Sequence, residues 1–175
     1  MINIIKKLFN LDNKPDKIFQ DWDKHLEKVY TSIEEDKLVY PVILFSDYVI
    51  WDIEVYTNPL RLICDSISGH WGYNNYLSDK ITENEIIIDS HGNTYKLSHE
   101  HFCKDTKTSF SYPSILVGKE NLMSIKQRII KCGKNYIETF DEHEEIILAK
   151  IEILKEINSI KDLILFFNKE FKKIK

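Results

Sequence analysis

Residues 86–97 read Ile-Ile-Ile-Asp-Ser-His-Gly-Asn-Thr-Tyr-Lys-Leu, and this stretch decides the fold class. Three β-branched residues lead in, a polar cluster around Gly92 interrupts the run, and Thr94 to Leu97 lead out with Tyr95 and Leu97 two apart on one face. Gly92 supplies the positive φ that a tight turn needs, because it has no Cβ to clash. The pattern predicts a β-hairpin, so the middle of the chain is expected to be antiparallel sheet.

On the N-terminal side of the hairpin, Leu38 to Thr57 is rich in β-branched and aromatic residues, with Pro41 near its start and Ser46-Asp47 as a turn. Two strands fit it. Further upstream, Asn13 followed by Pro15 is a helix-start signal, and Ile18, Phe19, Trp22, Leu26, Val29, Tyr30 and Ile33 then recur at helical spacing. After Pro113 the pattern turns helical again. Leu122, Ile125, Ile129 and Ile130 form a stripe expected to run out at Cys132-Gly133, where glycine can end a helix in the left-handed conformation. Asp141 reads as the N-cap of a helix through Ile146, Ile147, Ile151, Leu154 and Ile157. Ser159, with Asp162 three residues on, opens another through Ile160, Leu163, Ile164, Phe167, Phe171 and Ile174, and these last two helices are expected to form a hairpin. The expected architecture is α+β, a small antiparallel β-sheet from the middle packed against N-terminal and C-terminal helices, in a single globular domain over residues 1–175.

The 175 residues, 43% hydrophobic and 30% charged, suffice for one buried core, and no Ser/Gly-rich or Pro-rich stretch divides them. Cys64, Cys103 and Cys132 are odd in number and lack CxxC spacing, which argues against a disulfide framework. Lys6 and Lys7 interrupt the apolar pattern of residues 1–10, so no secretory signal is read there, and no run approaches the roughly 18 apolar residues of a membrane span. A reducing cytoplasm is the expected compartment.

Charge is distributed unevenly. Residues 34–105 carry thirteen acidic against five basic side chains, whereas the flanking segments are neutral or mildly basic. Such a field attracts a basic partner and repels nucleic-acid phosphate. Within this segment, Asp47, Asp52, Glu54 and Asp65 precede Gly69-His70-Trp71-Gly72-Tyr73-Asn74-Asn75-Tyr76, where glycines flank large amphipathic rings. Tyr and Trp dominate interface hot spots because they bury much area at low entropic cost; the alternative for Trp71 is a loop folded onto its own core. The carboxylates could also polarise water or hold a hard cation, but Trp51, Ile53 and Val55 make the opposite strand face apolar, and a solvated sheet face explains them better.

Catalytic motifs are missing: there is no Gly-x-Ser-x-Gly elbow, Ser-x-x-Lys, phosphate-binding glycine loop or His-Glu-x-x-His. A metal site is the alternative. If the strand after Gly92 continues, His99, His101 and Cys103 alternate onto one face, with His91 across the turn, and imidazole and thiolate suit zinc. No cofactor is expected under the favoured reading. The lysines at 169, 172, 173 and 175 read as a solvated helix end rather than a phosphate or membrane contact.

Small size, an acidic aromatic middle and absent catalytic motifs together resemble, in type, the bacterial immunity proteins, which cover the basic active site of a toxin. No family-specific motif carries this resemblance. It implies a basic protein partner such as a toxin, no nucleic acid and no membrane, with Asp47, Asp52, Glu54, Asp65, Trp71, Tyr73 and Tyr76 as the contact set. Carboxylates would speed association and aromatic anchors slow release.

Overall fold

The computed structural model of the chain describes residues 15–33, 37–45, 50, 53–67, 86–140 and 143–171. The hairpin at 86–97 forms as its residues dictate. Asp89 is fully buried, and its Oδ1 accepts from the backbone N–H groups of His91 and Asn93, both at 2.9 Å, while Oδ2 accepts from Asn93 Nδ2 at 3.0 Å. Gly92 turns the chain at φ 83°, and the Glu120 N–H donates to its carbonyl at 2.8 Å, so the turn is clamped from the far end of the next strand.

This hairpin joins strands β3, Ile86–Ile88, and β4, Asn93–Cys103. With β1, Val42–Phe45, β2, Glu54–Tyr56, and β5, Thr108–Lys119, they make one sheet of order β2-β1-β3-β4-β5, antiparallel at every pairing. Five helices accompany it among the described residues: α1, Pro15–Thr31; α2, Pro59–Ile67; α3, Leu122–Phe140; α4, Glu144–Lys155; and α5, Ile160–Glu170. The fold is α+β, with a central antiparallel sheet flanked by N-terminal and C-terminal helices.

All four residues of β1 are buried, because both faces of the sheet are covered. A doubly covered strand reads as a continuous apolar run, here Val-Ile-Leu-Phe, rather than an alternating one. Ile43, Phe45, Val55 and Ile88 pack with Ile125, Ile129, Ile147, Ile151, Leu163 and Phe167 of α3, α4 and α5. Val42, Leu44, Tyr56, Ile87 and Tyr95 pack on the other side with Leu26 and Val29 of α1 and Leu62 and Ile63 of α2.

Three local expectations are corrected and one unanticipated helix is found. The pattern does not turn helical directly after Pro113, which lies inside β5, a 12-residue outermost strand; the helix begins at Leu122. An edge strand tolerates proline, since its missing N–H points away from the partner strand. Helix α2 opens at Pro59, with Asn58 Oδ1 accepting from the Arg61 N–H at 3.0 Å, a capping signal that the surrounding β pattern obscured. α3 does not stop at Gly133 but continues seven residues to Phe140. Gly133 serves packing instead: a Cβ there would lie 3.2 Å from Ile151 Cδ1, 3.3 Å from Ile147 Cγ2 and 3.5 Å from Ile50 Cδ1. Finally, the residue preceding α4 is His143, at φ 58°, rather than Asp141, which lies outside the described residues. The Ser159 cap of α5 forms, with Ser159 Oγ accepting from the Asp162 N–H at 3.0 Å.

Candidate protein interface

The sequence of α4 is Glu-Glu-Ile-Ile-Leu-Ala-Lys-Ile-Glu-Ile-Leu-Lys, apolar on most of its circumference. A helix of that composition normally lies inside a protein. Here only Ile147, Ile151 and Leu154 are buried, against α3, α5 and Ile50. The Lys126 Nζ, 7% exposed, donates to the Lys155 carbonyl at 2.5 Å, and Lys150 Nζ donates to the Glu170 carbonyl at the end of α5. Each places a cation at a helix C-terminus, where the backbone dipole favours it, and adds to the buried packing that orients α4 about its axis. With that roll, Ile146 is 46% and Ile153 55% exposed, with Ala149 exposed between them. The sequence pattern had assigned Ile146 to the inner stripe; its neighbour Ile147 takes that place.

Beside this outer stripe runs a row of carboxylates, Glu145, Glu152 and Glu156, all exposed. On 3.6-residue geometry they stand about 50–90° round the helix from the centre of the apolar line, along one flank of it. Glu152 meets Lys155 at 2.5 Å on open surface, a pairing worth little against water, and among the described residues Glu145 and Glu156 have no ion-pair partner. Ile50, which the sequence brackets with Asp47 and Asp52, lies at the junction of α3 and α4.

A second apolar surface lies on β5, where Ile115, Leu116 and Val117 are all 47–60% exposed. In a regular half-covered strand alternate residues would be buried. β5 instead carries extra residues in its pairing with β4, between Pro113 and Ile115 and between Leu116 and Gly118, and such bulges raise the twist and break the alternation. Together with Pro113 and Lys119, they are the devices by which edge strands are kept from pairing with other chains.

The residues singled out from the sequence are placed as follows. Glu54 opens β2, half-buried and opposite Leu44; Asp65 lies in α2; Asp47, Asp52, Trp71, Tyr73 and Tyr76 lie outside the described residues. His91 is exposed in the hairpin turn, whereas His101 and Cys103 stand at the far end of β4. The eight steps from Asn93 to His101 span about 26 Å at roughly 3.3 Å each, so His91 cannot share an ion with His101 and Cys103. β4 has an extra residue between Ser98 and His101, and the side chain of His99 lies outside the described residues. His101 stacks on Phe110 at 5.3 Å and meets Ser114 Oγ at 3.4 Å. Among the described residues no group of three or more His, Cys, Asp or Glu side chains is placed to hold a metal.

Cys103 is buried, and its Sγ donates to the Lys28 carbonyl at 3.7 Å rather than to a histidine. The Thr106 side chain beside it holds the thiol below its ordinary range, against burial, which pushes it up. Next to it, a cleft of about 370 Å³ between α1 and the β4–β5 turn is lined by Asp21, Lys24, His25, Lys28, Asp105 and Thr106. The His25 Nε2 lies 3.3 Å from Thr108 Oγ1 and its ring stacks on Trp22 at 5.0 Å, so the one imidazole in the cleft is engaged structurally.

Sequence reasoning missed the α4 surface because it treated adjacent isoleucines as equivalent. The available signal was the second stripe itself, Ile146, Ala149 and Ile153 at spacings of three and four. Among the described residues no helix is long and apolar enough to cross a membrane. Comparison of the chain with protein-family models, with curated proteins and with solved structures finds no match.

Proposed function

We propose that this chain is a protein-binding module of the immunity-protein type, which neutralises a basic partner such as a toxin by covering it. The observation that carries this reading is the outer face of α4, where an apolar stripe and a row of three glutamates lie side by side on an exterior helix. Exposed apolar side chains supply the area that slows dissociation, and carboxylates select a cationic surface and hasten the encounter. The acidic balance of residues 34–105 and the overall charge of −4 act in the same direction. Asp47, Asp52, Glu54, Asp65, Trp71, Tyr73 and Tyr76 remain the contact set proposed for that segment.

The test is to capture partners from the source cell on the intact chain and characterise the one retained. A basic protein whose association rate falls steeply with salt, and whose activity is lost at one equivalent of the chain, supports the reading. A neutral or acidic partner, salt-independent association, or full activity in the complex refutes it.

A further inference from the structure

The outer stripe of α4 is straight, and from Ile146 to Ile153 it is about 10 Å long at 1.5 Å per residue. Ala149, the smallest side chain, sits between the two isoleucines, so the stripe has a notch at its centre and a ridge at either end. That relief accepts a side chain from a crossing helix, ridge into groove. The glutamates at 145, 152 and 156 repeat at helical intervals along the same axis. An occupant therefore meets an apolar line and an anionic line in parallel. An amphipathic helix presents two such lines at once, since its own side chains recur every three and four residues. An extended strand alternates its side chains between opposite faces and matches neither.

We infer that α4 docks an amphipathic helix of the partner, with its apolar stripe on Ile146, Ala149 and Ile153 and an adjoining row of Lys or Arg facing Glu145, Glu152 and Glu156. This inference rests on the reading of the chain as a binder of a basic protein. Charge complementarity favours such a helix over a second copy of this chain: in a two-fold antiparallel contact between two α4 helices, the glutamate rows fall on the same side and repel.

The probe is a pair of synthetic helical peptides, one of leucine and lysine in amphipathic spacing and one with glutamate replacing lysine, each titrated into the isotope-labelled full chain. The lysine peptide is expected to shift the resonances of Ile146, Ala149 and Ile153, and the glutamate peptide to leave them in place. Ile153→Asp, exposed and so compatible with folding, should weaken lysine-peptide binding at least about 30-fold, the level of an interface hot spot. The triple variant Glu145→Lys, Glu152→Lys, Glu156→Lys should reverse the preference between the peptides. Absence of binding, shifts that map elsewhere, equal binding of both peptides, or a dimer in light scattering that Ile153→Asp dissolves would each overturn the inference. Capture of a basic partner whose binding is indifferent to Ile153→Asp would overturn the α4 docking while leaving the protein-binding function standing. Failure to capture any basic partner counts against the function itself.

Discussion

Gly133 is where the packing of α3 on α4 can be measured most directly. Alanine adds one methyl group, 3.2 Å from Ile151 Cδ1 and 3.3 Å from Ile147 Cγ2, a few tenths of an ångström inside ordinary carbon contact. The Ile151 Cδ1 ends a flexible branch and can swing aside, whereas the Ile147 Cγ2 is tied to a stiff β-branched χ1 and yields less. Against this compression stands the helix propensity recovered by replacing a mid-helix glycine, about 0.8–1.0 kcal/mol. The two nearly cancel, so Gly133→Ala should change stability by less than about 1 kcal/mol in either direction. Valine adds two further methyls against Ile147, Ile151 and Ile50 with no offsetting gain, and should cost about 1–3 kcal/mol by overpacking. Urea unfolding followed by circular dichroism reads both, the midpoint shifting while the slope stays constant. Gly133→Val as stable as the parent would refute close packing of α3 on α4. A Gly133→Ala loss of more than about 1 kcal/mol, with Gly133→Asn tolerated, would instead mean that the helix ends there in the left-handed conformation.

Other outcomes follow from the same structure. Phe167, 1% exposed and stacked on Phe171 at 4.8 Å, should cost about 3–5 kcal/mol on replacement by alanine, read by the same unfolding assay; a parent-like variant would show α5 to be detachable. Gly92→Ala should destabilise by more than 1 kcal/mol at about φ +83°, since its Cβ would also fall 2.3 Å from the Glu120 carbonyl oxygen; an unchanged midpoint would contradict the clamp at the hairpin turn. With a captured basic partner in hand, Trp71→Ala should raise the dissociation rate by at least about 30-fold, whereas Glu54→Gln should lower the association rate and raised salt should mimic it. Parent-like rates for both, with folding intact, would remove residues 47–76 from the interface. Thermal unfolding should be insensitive to EDTA, since the helices and sheet supply a core without a metal; stoichiometric zinc and a chelator-dependent midpoint would instead make His99 and His101 ligands.

The sequence alone determined the elements whose patterns are local. The hairpin turn is written in Asp89, Gly92 and Asn93, because a carboxylate two and four residues from the amides it accepts closes a turn without tertiary help. The Ser159 cap and the stripe of α5 are equally local, and with the apolar run of β1 they suffice for an α+β fold with its sheet between helices. What the tertiary structure decided is everything that depends on which of two compatible faces is covered. Pro113 reads as a break until β5 is seen at the edge of the sheet, where a missing N–H costs nothing. Gly133 reads as a stop until Ile147 and Ile151 are seen pressed against it. His91 and His101 read as neighbours across a turn until β4 is seen to carry them to its opposite ends. In α4, Ile146 and Ile147 are chemically identical, and no local rule says which of them faces inward. The roll of that helix follows from what α3 and α5 cover, Ile147, Ile151 and Leu154, with Lys126 of α3 and the Glu170 carbonyl of α5 as further tertiary partners, and that roll exposes the stripe proposed to bind a partner.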